Sequence, residues 1–240
     1  MKLTSKAIIL LSALLAVSCG GNRSNASEEA VDENVKLIAL SFDDGPNLSI
    51  TPQVLDVLEA NGAKASFFVI GQNINDESAA MMKRAHDMGC DIENHSFTHS
   101  SMVTLSEEQI KEEIAKTSAL VEQYVGETPK FFRPPYIHHN ELMHDAIELT
   151  FISGRGCNDW VPNVTAEQRA SDVIEHAEDG QIVLVHDFEG NVNTVEALKT
   201  IIPELQAQGF KFVTVPEIFA MKGVEPGVKN GKIYTNVLTD

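Results

Sequence analysis

Seven short apolar runs recur along this chain, separated by stretches that carry helix-start signals, and this alternation constrains the fold more than any other feature. The runs cover 35–42, 65–70, 91–94, 130–133, 149–153, 182–185 and 210–215, each of strand length. Between them, Thr51-Pro52 opens a helix with Thr51 as the expected N-cap and a proline in the first turn, turning Val54, Leu55 and Leu58 inward. Ser106 followed by Gln109, and Thr165 followed by Gln168, read as capping boxes. Ile110, Ile114, Val121 and Val125 line one face of the helix that the first box begins, and a further helix is expected over 194–208. Strands alternating with helices at this cadence predict an α/β fold, a mostly parallel sheet covered by helices. Seven strands suit a barrel-like closure, with a doubly wound open sheet as the alternative. Both architectures bind ligands at the carboxyl ends of their strands.

The ends of the chain carry other signals. Lys2 and Lys6 precede an apolar stretch, 7–17, broken only by Ser12, which is too short for a comfortable membrane span and reads as a secretory leader. It closes on Ala16-Val17-Ser18-Cys19, which resembles a bacterial lipobox and makes Cys19 the expected lipid anchor. Residues 1–18 are thus expected to be a lipoprotein signal peptide, 19–34 a flexible tether, 35–220 the principal folded domain and 221–240 a tail without a functional signal. Export to the cell envelope, at the periplasm or cell surface, follows from this reading. With 35 acidic against 18 basic residues the formal charge is −17, which argues against nucleic acid as a partner. Cys90 and Cys157 are expected to be buried free thiols, a single bridge being the alternative.

Polar clusters fall where the strands should end. Asp43-Asp44-Gly45-Pro46 places two carboxylates at a strand terminus, where a bend is needed to turn both toward one site. His95 and His99 stand four apart, a spacing that shares a face if the segment forms a helical turn, and two imidazoles with one carboxylate make a facial metal set. In Arg133-Pro134-Pro135-Tyr136 the prolines lock the backbone and present the Tyr136 N–H, while Arg133 can pair with a carboxylate. Asp159-Trp160 and Leu184-Val185-His186 complete the set, with Asp159 the natural partner to raise the pKa of His186. His86, His138, His139, His144 and His176 lack such context and read as surface or packing residues.

In order and spacing these five clusters resemble the polysaccharide deacetylase family, the NodB-like group known as carbohydrate esterase family four. The resemblance spans roughly 35–219 and implies a distorted (β/α) barrel of about seven parallel strands. It implies that Asp44, His95 and His99 bind one divalent metal, usually Zn2+ with Co2+ or Ni2+ as alternatives. Asp43 would be the general base, oriented by Arg133, and His186 the general acid, tuned by Asp159. Tyr136 would offer its N–H to the oxyanion, and Tyr136, Trp160, Leu184 and Pro135 would bind substrate. An N- or O-acetylated polysaccharide is the implied substrate: peptidoglycan, a chitin-like oligomer or acetylxylan. A silent glycan-binding lipoprotein and a deacetylase of a non-sugar amide are the alternatives, and a monomer is expected. Two positions depart from the family pattern: Gly156 stands where another Asp is frequent, and Ile137 where Gly is frequent. Glu93 and Cys90, beside the metal histidines in sequence, are expected to reshape the rim.

Overall fold

Side chains on the first strand, β1 (Lys36–Asp43), divide by parity, and the division organises everything else. Ile38, Leu40 and Phe42 face outward into a core shared with Val54, Leu55 and Leu58 of α1 (Thr51–Ala60) and Leu198, Ile201 and Ile202 of α6 (Val192–Ala207). Leu37 and Ala39 face the other way, into an interior cluster with Phe68, Phe131, Ile182 and Phe219. Ser41 and Asp43 continue that inward column toward the carboxyl end of the strand. A strand buried on both faces is what a parallel sheet under helices requires. These relations come from a computed structural model that describes residues 35–240; the expected leader 1–18, the anchor Cys19 and the tether 19–34 lie outside the described residues.

Beyond β1 the strands are β2 (Ala65–Val69), β3 (Asp91–Asn94), β4 (Phe131–Phe132), β5 (Thr150–Phe151), β6 (Arg155–Gly156), β7 (Gln181–His186) and β8 (Phe210–Phe212). All pair in parallel, in the order β5-β4-β3-β2-β1-β7-β6, with β8 on β1. The two ends of that path, β5 and β6, are consecutive pieces of chain parted only by Ile152, Ser153 and Gly154. One interrupted stave therefore pairs with β4 before its break and with β7 after it, which curls the sheet into a distorted barrel and excludes the open alternative. The expected strand at 149–153 is thus split and extended, giving eight short segments. Gly154 sits in the break because a Cβ there would lie 2.8 Å from the Leu184 Cβ.

The helices α2 (Ala79–Asp87), α3 (Glu107–Val125), α4 (Glu141–Ala146), α5 (Ala166–Glu175) and α7 (Val215–Met221) complete the described α-helices. Capping boxes open α3 and α5 as the sequence predicts, and Thr214 with Glu217 forms a third at α7. The expected N-cap of α1 is not Thr51: Ile50 holds that position, and the Asn47 side chain accepts from the Ile50 N–H at 2.7 Å. The Thr51 hydroxyl has a stronger acceptor, donating at 2.5 Å to the buried carboxylate of Asp187. Near the starts of the strands, α7 and the buried Tyr234 and Val237 close the interior cluster, so residues beyond 221 contribute to the core. Cys90 and Cys157 are both buried and free, and burial pushes their thiols up to about 11 and about 12.

Candidate active site and metal centre

Asp44, His95 and His99 each offer one ligand atom, and these atoms lie within 4.8 Å of one another. The Oδ1 of Asp44 is 3.5 Å from the Nε2 of His95 and 3.4 Å from that of His99. Two backbone devices bring the three together. Asp44 itself takes the left-handed conformation, φ 76°, so the bend that turns it from Asp43 begins one residue before Gly45. The histidines meet through a loop rather than a helical turn, with Ser96 at φ 66° and His99 at φ 58°, and their rings lie 4.9 Å apart. His95 donates its Nδ1–H to the Arg133 carbonyl at 2.6 Å, which leaves Nε2 as a lone-pair donor toward Asp44. The Asp44 Oδ1 is buried with no hydrogen-bond partner, an orphan of the kind a cation satisfies. Burial alone would raise the Asp44 pKa, but the neighbouring histidines bring it below the ordinary carboxylate value. One carboxylate and two neutral imidazole nitrogens suit zinc, cobalt or nickel.

Asp43 stands beside this trio as the last residue of β1. Its Oδ1 accepts from Arg133 Nη1 at 2.5 Å, and its Oδ2 lies 3.7 Å from His95 Nε2. Arg133 is fully buried, donates also to the Ser41 hydroxyl at 2.8 Å and to the Ser153 carbonyl, and stacks on Phe68 at 4.2 Å. Burial draws its pKa below the ordinary arginine value, countered by the charge of Asp43. One carboxylate oxygen is thereby tied down while the other faces the metal ligands.

On the strand beside β1, His186 ends β7 in register with Asp43, and its Nδ1 pairs with Asp159 Oδ1 at 2.8 Å. Asp159, 1% exposed, also accepts from the His186 N–H, the Thr194 hydroxyl and Asn191 Nδ2. Burial would lower the His186 pKa, but the Asp159 bond and the charges of Asp159, Asp43 and Asp44 lift it to about 9. These partners favour the protonated ring, whose Nε2–H is left for a substrate.

These groups surround a cleft of about 470 Å3 whose apolar walls include Trp160, Leu184, Ile137 and Tyr136. Trp160 and Tyr136 are exposed, 50% and 61%, and Tyr136 packs its ring 4.8 Å from His99. Both prolines are buried, and of the two Pro134 lines the cleft while Pro135 does not. Both departures from the family pattern fall here. A Cβ on Gly156 would come within 3.2 Å of the Trp160 ring, so the glycine lets the indole approach β6 closely. Ile137 holds φ 58°, a costly conformation for a β-branched residue that glycine would take freely. Glu93 and Cys90 do not shape the rim: Glu93 is buried and accepts from the N–H groups of Lys130 and Phe131, and both line a separate cavity of about 240 Å3. His138, His139 and His144 also stay out of the cleft lining, His139 bonding to His144 at 3.0 Å.

Several supporting residues carry no sequence signal strong enough to single them out. Glu113 of α3 accepts from the N–H groups of Phe97 and Thr98 at 2.9 and 2.8 Å and from the Thr98 hydroxyl, pinning the loop that holds His99. Asn94 accepts from the Ser96 N–H, and Asn73 donates to the Asp44 carbonyl. Asp187 is wholly buried beneath Gly45, where a Cβ would lie 2.7 Å from its carboxylate, and burial pushes its pKa up to about 7. The adjacency of Asp187 to His186 was the one available hint.

The profile of the family described as polysaccharide deacetylase matches residues 30–151. A bifunctional xylanase/deacetylase of Pseudobutyrivibrio xylanivorans is 47% identical over 231 residues, 96% of this chain but only 37% of that protein. A peptidoglycan-N-acetylglucosamine deacetylase of Bacillus cereus is 36% identical over 199 residues, 80% of this chain and 92% of its own length. Among solved structures, the Xyl-CE4 domain of a multidomain xylanase from the hindgut metagenome of Trinervitermes trinervoides superposes with TM-score 0.84 at 47% identity, covering 86% of this chain and all of that one. A family 4 acetyl xylan esterase from Clostridium thermocellum, in complex with a cobalt ion, gives 0.82 at 44% identity, covering 84% of this chain and 99% of that one.

Proposed function

Because this chain belongs to the polysaccharide deacetylase family, we propose that it is a metal-dependent hydrolase that removes acetyl groups from acetylated xylan. The observation that carries the chemistry is the partnerless, buried Asp44 Oδ1 facing two histidines whose free nitrogens point the same way. Asp44, His95 and His99 would hold one divalent cation, for which we assign zinc, with cobalt as a substitute. A cation held there supplies Lewis acidity toward the acetyl carbonyl and acidifies water.

The chain's own residues do the rest. Asp43, oriented by Arg133, takes a proton from the attacking water through its free oxygen. The Tyr136 N–H, fixed by the prolines before it, donates to the oxygen on which charge develops. His186, protonated through Asp159, gives its Nε2 proton to the departing sugar oxygen, so that water and ester become acetate and a free hydroxyl. Trp160, Leu184 and Tyr136 enclose the acetyl methyl. A silent binding protein would have no use for the intact Asp43–Arg133 and Asp159–His186 pairs.

The xylan assignment is supported by the relatives: those at 44–47% identity are named for xylan, while those named for peptidoglycan stand at 36% or below. Acetate release from acetylxylan, N-acetylglucosamine oligomers and peptidoglycan tests it. Acetylxylan should be the best substrate by kcat/KM; faster release from peptidoglycan overturns the assignment. We infer further that the leader exports the chain and that lipid on Cys19 anchors it at the cell envelope, the domain acting as a monomer on its polysaccharide.

A further inference from the structure

A second groove, of about 870 Å3, adjoins the cleft and shares Asp44, His99 and Tyr136 with it. Its other walls come from four loops at strand ends: Leu48 after β1, Gln72 and Asn75 after β2, Thr98 after β3, and Phe188 and Glu189 after β7. Leu48 is 55% exposed and, with Phe188 and Tyr136, gives the groove apolar faces on which sugar rings can lie. Among the described residues, the Gln72 side chain and the Asn75 amide nitrogen have no hydrogen-bond partner, and both residues are exposed at the groove. Rings flanked by free amides are what an uncharged sugar binds.

Charge sharpens this picture. Among the described residues, no lysine or arginine lines the groove or the cleft. Two acids of the reacting centre have their own partners: Asp43 pairs with Arg133 and Asp159 with His186. Glu189 is exposed and has no ion-pair partner among the described residues, in a chain of formal charge −17. A carboxylate on the substrate held beside Glu189 would meet that side chain with no lysine or arginine of the groove to offset it.

We propose that this groove holds the uncharged sugars next to the acetylated one, and that Glu189 is a specificity-determining residue that turns away chains bearing a carboxylate there. The inference rests on the deacetylase reading and narrows its substrate to uncharged stretches of polysaccharide.

The test compares an acetylated xylo-oligosaccharide with the same chain bearing one glucuronic acid unit, and uses a small aryl acetate as a probe of the cleft alone. Calorimetric binding of the two oligosaccharides without acetyl groups is measured in parallel, which reads the groove independently of turnover. At low salt the wild type should favour the neutral chain roughly fivefold in both kcat/KM and affinity, and the preference should shrink at high salt. Glu189→Gln should narrow the neutral-to-acidic ratio, and Glu189→Lys should reverse it. Equal handling of the two chains by the wild type, or an unchanged ratio in Glu189→Lys, overturns the proposal. If no substrate releases acetate, the aryl acetate included, while calorimetry keeps the neutral preference, the groove assignment stands and the deacetylase reading falls.

Discussion

Asp43 and Asp44 are chemically identical neighbours, and their surroundings give them different work. Asp43 is tied to a buried guanidinium, and Asp44 is turned by a left-handed backbone toward two imidazoles. Asp43→Asn should lower kcat by about two to four orders of magnitude while the protein still takes up one equivalent of metal. A loss of only a few-fold would exclude Asp43 as the base. His186 is tuned in the opposite sense from an ordinary buried histidine, up to about 9. A general acid must be protonated, so activity should fall as pH rises through that value. In Asp159→Asn the favourable charge is lost, and the alkaline limb of the kcat profile should move down by a unit or more, toward the ordinary histidine value of about 6.5. An unmoved limb would mean that another group sets it. The clusters that meet at the cleft were legible in sequence because each pairs a demanding residue type with a strand end. The identity of Glu113 and Asp187 as supports was not, since their bonds to Phe97 and Thr51 cross sequence separations that no local pattern records.

At the scale of elements, local signals held where the chemistry is local. The Ser106 and Thr165 capping boxes begin helices at the expected residues, because hydroxyl and amide satisfy each other within one turn. Thr51 failed as a cap because a distant carboxylate captured its hydroxyl. The strand expected at 149–153 broke because its two edges serve different neighbours, a demand set by closure of the sheet. The histidine segment was expected to form a helical turn if both rings were to share a face, yet it is a loop with two left-handed residues, and α3 holds it through Glu113. Removal of that carboxylate should therefore act on the metal. Glu113→Ala should weaken metal binding by roughly 10- to 100-fold, read by competition with a chelating dye, while Glu113→Gln, which keeps an acceptor oxygen, should lose much less. Equal affinities in all three proteins would show that the loop holds its shape without α3.

Across the whole molecule, parity on the strands links fold to chemistry. One face of each inner strand packs under helices, and the other lines a closed interior that is apolar near the strand starts and polar at the strand ends. Residues from β1, from the loop after β3, from the segment after β4 and from β7 meet at that polar end only because the interrupted stave at 150–156 joins the two ends of the sheet. The cadence of the apolar runs made a parallel, closed architecture readable from the sequence, whereas the way it closes depends on contacts between distant segments. The account turns on one cation held by Asp44, His95 and His99 and used to release acetate. Its most direct test is acetate release from acetylxylan by chelator-stripped protein titrated with zinc or cobalt. Activity should be absent at the start, rise with added metal and level off at one equivalent per chain. Full activity in the stripped protein, or none at any metal loading, would contradict it.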